Sequence, residues 1–353
     1  MFKENYNVIG VMSGTSLDGV DLAYIKFNYS GHWTFEIFQS ETISYSEKWL
    51  NKLKNAIHFN KTALEELNVA YTQLLATIIS DFISKNNLTE IDAVCSHGHT
   101  ILHQPQNGFT LQIGNLPLIR VLVNQTIVCD FRVQDVQLGG QGAPLVPIGD
   151  ELLFSEYDYC LNLGGFSNVS FNENGNRIAF DISPVNTVLN FYANELGLPY
   201  DTAGNLAKLG NVKRDLLQKL NDLDFYKAPY PKSLGMEFVN TEIFPLMNTF
   251  SIDTIDKLCT FVEHIAIQIA KICSKPYAKL FITGGGVYNQ FLIDRLCNYL
   301  PTTKVVIPED TTIQFKEALI FAFLGVLKLR NEINVLSSVT GASKNHSSGV
   351  VFY

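Results

Sequence analysis

The sequence has no run of about 18 uninterrupted apolar residues, so no membrane-spanning helix is expected. It has no basic tract. Its 26 Lys and Arg stand against 34 Asp and Glu, a net charge of −8, which makes nucleic acid and anionic lipid poor partners. The opening residues, MFKENYNVIG, lack a basic stretch followed by an apolar one, so no secretory leader is expected and a cytoplasmic location is. None of the six cysteines (Cys95, Cys129, Cys160, Cys259, Cys273, Cys297) forms a CxxC pair, and most sit inside apolar runs. Buried free thiols in a reducing compartment follow. Charge is scarce, 17% of residues against 46% apolar, which argues against disorder and leaves core material for one large or two moderate domains in 353 residues.

Periodicity places strands at 7–12 and 20–27, with a third at 33–42. A helix follows, with Leu64, Leu67, Tyr71, Leu74, Leu75, Ile78 and Phe82 on one side and a capping box of Thr62 with Glu65 at its start. The runs IDAVCSHG (91–98) and IVCDF (127–131) read as buried parallel strands that end in polar residues. The second half repeats the order: strand, Gly-rich loop and strand at 159–171, a strand at 176–183 ending near Asp181, a helix over 253–274, a strand at 279–286 running into three glycines, a strand at 304–308, and a helix over 311–330. Two such units predict an α/β fold of two related lobes with a cleft between them. The expected lobes are 1–134, with the tail 340–353 as a candidate to complete it, and 135–339. Residues 197–250, rich in Tyr, Pro and Lys, read as an insertion in the second lobe.

From Ser13 to Gly19, six of seven positions are Gly, Ser, Thr or Asp. A tight turn needs fewer. Together with LNLGGFSN (161–168) and GGG (284–286), this loop points to backbone N–H groups that hold phosphate oxygens, with Ser13, Thr15 and Ser16 adding hydroxyl donors. The third cluster suits a flat adenine and ribose. A tight hairpin remains the plain alternative for either loop alone. Asp18 and Asp21 would repel phosphate unless a cation intervenes, which suggests Mg²⁺ on Asp18, through water. A turn Asp bonding its own backbone is the competing reading. His97, His99 and His103 have a spacing that metal could use, but no Cys or carboxylate completes the set at a convincing interval.

The stretches GVMSGTSLDGVDLAYI, CSHGHTILHQP, TLQIGN, DFRVQDVQLGGQGAPLVP, LNLGGFSNVSF, PKSLGMEFVN, FITGGGVYN and VTGA, in that order from about residue 8 to 342, resemble the anhydro-N-acetylmuramic acid kinases of the actin-like, sugar-kinase superfamily. The resemblance implies two actin-like (ribonuclease-H-like) lobes, each a mixed five-stranded sheet flanked by helices. It implies ATP and Mg²⁺, an anhydro-sugar substrate, and a homodimer. The expected reaction is opening of the 1,6-anhydro ring by water with phosphorylation of O6. Asp181, in FDISPVN, takes the place of the family's general base. The nucleotide would be held by Gly14, Thr15, Ser16, Leu17, Asp18, Gly19, Val20, Asp21, Gly164, Gly165, Asn168, Gly284, Gly285 and Gly286, and the sugar by His97, Arg132, Asp135 and Glu317. A structural salt bridge is the other reading of Arg132 and Asp135, and a complement to the helix dipole that of Glu317.

Departures from the family pattern cluster near the expected sugar. Ser183 and Val185 replace glycines, Asn115 an Asp, Val121 a Glu, Val133 an Arg and His99 a Gln. They motivate a rival expectation: an ATP-binding sensor or interaction protein with lost or altered kinase activity.

Overall fold

A computed structural model of the chain describes residues 3–14 and 17–353. It divides into two compact units: Met1–Leu153 with Phe315–Tyr353, and Phe154–Gln314.

In the first unit, β1 (Asn5–Ser13), β2 (Val20–Tyr29) and β3 (Trp33–Ile43) form an antiparallel meander. β4 (Ala93–Gln104) pairs parallel with β1, and β5 (Phe109–Ile113) folds back on β4. β6 (Ile127–Cys129) lies parallel to β4, and the C-terminal strand Val350–Phe352 closes that edge antiparallel to β6. Central position explains composition: Val8, Ile9 and Val11 of β1 and Ala93, Val94 and Cys95 of β4 are all buried, as expected of strands covered on both faces. Tyr71, Leu75, Ile79 and Phe82 of the helix Lys61–Lys85 are buried, and this helix shares a core with Ile9, Val11, Val94 and Ile113. Its start differs from expectation. Asn60 is the cap, its side chain accepting the Ala63 N–H at 3.0 Å, so Thr62 lies inside the first turn.

The helix Asp310–Leu329 departs from helical geometry at Phe315, where the chain passes from the second unit to the first. Ala318 to Leu324 are buried all round. Two glycines admit it: a Cβ on Gly10 would stand 2.0 Å from the Ala318 carbonyl oxygen, and one on Gly325 2.1 Å from Cys95 Sγ. The short helix Pro147–Leu153 packs on the same helix, since a Cβ on Gly149 would meet Ile320 at 2.2 Å. These contacts put 135–153 and 315–339 with the first unit, where the sequence reading assigned them to the second.

The second unit holds β7 (Tyr159–Leu163), β8 (Phe166–Glu173) and β9 (Asn176–Pro184) as a meander, then β10 (Lys279–Thr283) and β11 (Lys304–Val306), both parallel to β7. The order β9-β8-β7-β10-β11 matches β3-β2-β1-β4-β6 in position and direction, so the ribonuclease-H-like plan appears in both units. The helix Thr254–Ile272 fills the core through Leu258, Phe261, Val262, Ile265 and Ile269. The insertion adds Leu216, Leu220, Val239, Ile243 and Met247 to that core. All six cysteines are free, and only Cys297 is exposed. Among the described residues no helix is long and apolar enough to cross a membrane.

Candidate active site

The first loop leaves β1 at Ser13 and re-enters the sheet at Val20. Thr15 and Ser16 lie outside the described residues. Leu17 takes a left-handed backbone (φ +64°), its N–H donating to the Gly14 carbonyl at 3.3 Å. Gly19 (φ +153°) has no room for a side chain, since a Cβ would stand 2.5 Å from the Ile43 carbonyl oxygen. Asp18 is exposed. Asp21 Oδ1 accepts from Thr42 Oγ1 at 2.6 Å; burial raises its pKa, the Thr42 bond opposes this, and the charge of Asp18 adds to it. A divalent cation near these two carboxylates would relieve their mutual repulsion. The Ser13 hydroxyl, expected as a phosphate donor, is instead occupied within the protein by Tyr45, Tyr71 and His99.

Beyond β4 and β6 a second group forms. His97 donates from Nδ1 to the Gly98 carbonyl at 2.9 Å, which leaves Nε2 to accept the Arg132 Nε–H at 2.8 Å. Burial and the Arg132 charge hold this imidazole neutral, well below its usual pKa. Arg132 also donates from Nη1 to the Gly142 carbonyl at 2.5 Å. Burial lowers its pKa to about 10, against the opposing charges of Glu317 and Asp135. Glu317 is reached by solvent yet closely surrounded by protein, which raises its pKa; Arg132 opposes and Asp21 adds to the rise. Its neighbour Lys316 forms a buried ion pair with Asp150 at 2.8 Å.

Asp135, expected on the sugar, has a different task. It is fully buried, Oδ1 accepting from Thr340 Oγ1 at 2.7 Å and Oδ2 from the Gly142 N–H at 2.6 Å. Gly140 is glycine because a Cβ would stand 2.2 Å from that carboxylate. Asp135 therefore shapes the segment whose Gly142 carbonyl holds Arg132. The three histidines have separate partners, since His103 Nδ1 meets Thr110 Oγ1 at 3.0 Å.

In the second unit Asp181 is half-buried near the end of β9. Its N–H donates to the Lys232 carbonyl at 3.0 Å, and Oδ2 accepts the Leu234 N–H at 2.8 Å. Lys232 is itself tied down, Nζ donating to the Phe225 carbonyl at 2.8 Å. Burial raises the Asp181 pKa and the Leu234 N–H partly offsets this, which suits a proton acceptor. Asn168 on β8 is its register partner, so the two side chains share a face.

The glycine clusters converge within this unit. The Gly164 carbonyl accepts the Asn186 N–H at 3.2 Å and the Gly165 carbonyl accepts the Val185 N–H at 2.8 Å, which joins the β7–β8 turn to the start of the helix Asn186–Glu195. Gly284 (φ +85°) and Gly286 press on the end of β7: a Cβ on either would stand 2.7 Å from a Leu163 atom. Gly285 lies nearest Asn186.

The sequence pattern of anhydro-N-acetylmuramic acid kinase matches residues 6–353. The chain belongs to that family. The kinase of that name from Vibrio cholerae is 34% identical over 98% of both chains, and the one from Pasteurella multocida 35% identical over 98% of this chain and 96% of its own. The one from Coxiella burnetii is 34% identical over the whole of this chain and 98% of its own. As a member of the anhydro-N-acetylmuramic acid kinase family the chain is a phosphotransferase.

The departures from the family pattern find an explanation in packing. Ser183 is fully buried, its hydroxyl donating to the Pro184 carbonyl and its N–H to Ser167 Oγ. Val185 (φ −129°) is fully buried in the core. Ser183 needs no glycine backbone, whereas Val185, with ψ −97°, stands outside the regions that suit a branched side chain. Val121, by contrast, is exposed, and Asn115 Nδ2 donates to the His97 carbonyl at 3.4 Å.

Several contributors escaped the sequence reading. Leu234 acts through its backbone, and the only hint was the Pro–Lys–Ser–Leu–Gly cluster within an insertion. Gly142 acts through its carbonyl within GGQGAP. Tyr45 and Tyr71 meet Ser13 across 32 and 58 residues, a separation no local pattern reveals.

Proposed function

We propose that the protein is an ATP-dependent kinase that opens 1,6-anhydro-N-acetylmuramic acid with water and phosphorylates O6, yielding N-acetylmuramic acid 6-phosphate and ADP in cell-wall sugar recycling. The observation that carries this reading is Asp181: a half-buried carboxylate with one oxygen fixed by a backbone N–H and its basicity raised by burial. Its other oxygen takes a proton from water as that water adds to the anomeric carbon. The bond from that carbon to O6 breaks, and O6 accepts the γ-phosphoryl group.

The first loop, the Gly164–Gly165 turn and Gly284–Gly286 supply amides and close backbone surfaces for the nucleotide, and Asn168 stands beside Asp181. Arg132 and Glu317, with His97 holding Arg132, bind the sugar and its lactyl carboxylate. Asp18, with Asp21 beside it, would hold Mg²⁺ through water, and the metal supplies neutralisation of phosphate charge. A homodimer follows the family resemblance. The alternative of nucleotide binding without turnover is not favoured, since the kinase family's pattern runs over residues 6–353.

Purified protein given ATP, Mg²⁺ and the anhydro-sugar should release ADP and sugar 6-phosphate in equal amounts. ADP release that does not depend on the sugar would count against the reading.

A further inference from the structure

Between the register pairs Val11–Ser96 and Ser13–His99, β4 carries one residue more than β1. Gly98, at φ +72°, takes up the excess as a bulge. The bulge re-aims His99, whose Nδ1 reaches Ser13 Oγ at 2.8 Å. The same oxygen lies 2.6 Å from Tyr45 Oη and receives the Tyr71 hydroxyl proton at 2.9 Å, while the two phenols stand 2.6 Å apart. β1, β4, the helix Lys61–Lys85 and the loop after β3 thus meet at the last residue of β1, and all four side chains are buried.

Counting protons fixes the arrangement. Each hydroxyl has one to give. Tyr71 gives its proton to Ser13, so Tyr45 must give its own to Tyr71, and Ser13 must give its own to Tyr45. Three contacts now hold three protons. The fourth forms only if His99 donates from Nδ1. The opposite tautomer would set two lone pairs against each other at a buried site, an unsatisfied pair that folded proteins avoid. Burial lowers the His99 pKa to about 4, so the ring is neutral at pH 7 and its tautomer is the variable that matters.

We propose that His99 is a positioning residue for the nucleotide: its Nδ1–H completes a ring of hydroxyls that clamps Ser13, and through Ser13 sets the first glycine loop for phosphate. No atom of His99 need touch ATP. The proposal rests on the reading of that loop as the phosphate holder.

The test joins spectroscopy to kinetics on the full-length protein. Nitrogen-15 NMR of histidine-labelled wild type at pH 7 should show His99 protonated at Nδ1 and bare at Nε2. His99→Leu should raise the KM for ATP about tenfold while kcat stays within about twofold and the KM for sugar is unmoved. Tyr71→Phe, which removes a ring proton, should act in the same direction. His99→Gln, whose amide N–H can take over the donation, should return the KM for ATP to within about threefold of wild type. An Nε2–H tautomer overturns the proposal, and so does an unchanged KM for ATP in both His99→Leu and Tyr71→Phe. If His99→Leu does not fold, the tautomer and Tyr71→Phe decide. If wild type turns over no sugar, the functional reading has failed, and calorimetric ATP affinity replaces KM in judging this ring.

Discussion

The Leu234 N–H donates to Asp181 Oδ2 across 2.8 Å, and this is the one contact that partly offsets what burial does to that carboxylate. One oxygen is held and one remains for chemistry. Asp181→Asn keeps an acceptor for Leu234 and removes the proposed base. Turnover should fall by about 10³-fold with ATP affinity unchanged, read by steady-state kinetics and calorimetry.

The same carboxylate predicts two pH effects. Its folded pKa is raised above the usual 3.8 by burial, so the acid limb of kcat/KM should be displaced upward from that value, with activity lost as pH falls through it. For stability the sign runs the other way. With the folded pKa above the unfolded one, the group favours folding below about 3.8 and loses that contribution as pH rises through the folded value. At neutral pH the charged form costs stability, so Asp181→Asn should melt no lower than wild type. Thermal denaturation at pH 7 checks this and separates lost chemistry from lost fold.

Arg132 holds its place through a planar fork, one nitrogen on His97 Nε2 and another on the Gly142 carbonyl. Lysine offers a point charge without that fork. Arg132→Lys should lower kcat/KM for sugar by about 10²-fold and leave the KM for ATP near wild type. A change confined to the KM for ATP would move Arg132 from the sugar to the nucleotide.

Asp135 should behave as a structural residue. Asp135→Ala strands the buried Gly142 N–H and Thr340 hydroxyl. The expected cost is about 3 kcal/mol in chemical denaturation, with the sugar KM of the remaining folded protein little changed.

Much of this arrangement was legible in the sequence, for stated reasons. The loop after β1 stood out because alternation stops where small polar residues begin, and Asp181 drew notice as a carboxylate near the end of an apolar strand, where the structure places it. The unit boundary was not legible. Gly10 and Gly325 look like any strand or helix glycine until a helix of distant sequence is laid against a strand at near-zero clearance. The capping box misled for a local reason: Asn60 offers an equally good acceptor two residues earlier, and the helix begins there. Asp135 looked like a ligand because a buried carboxylate and an exposed one read alike in one dimension.

The family glycines replaced by Ser183 and Val185 supply another check. Val185 packs in the core of the second unit. Val185→Gly removes a buried side chain but eases an unfavourable backbone, so it should cost less than about 3 kcal/mol by denaturation and bring no gain in turnover. A rise in kcat would show that the loop, as it stands, obstructs the reaction.

The central claim is that water enters at the anomeric carbon while phosphate is placed on O6. Mass spectrometry of the product formed in heavy-oxygen water tests it most directly. One solvent oxygen at the anomeric carbon, in a sugar that also carries the 6-phosphate, is the predicted result. A phosphorylated product with no solvent oxygen, or one labelled only in its phosphate, would contradict it.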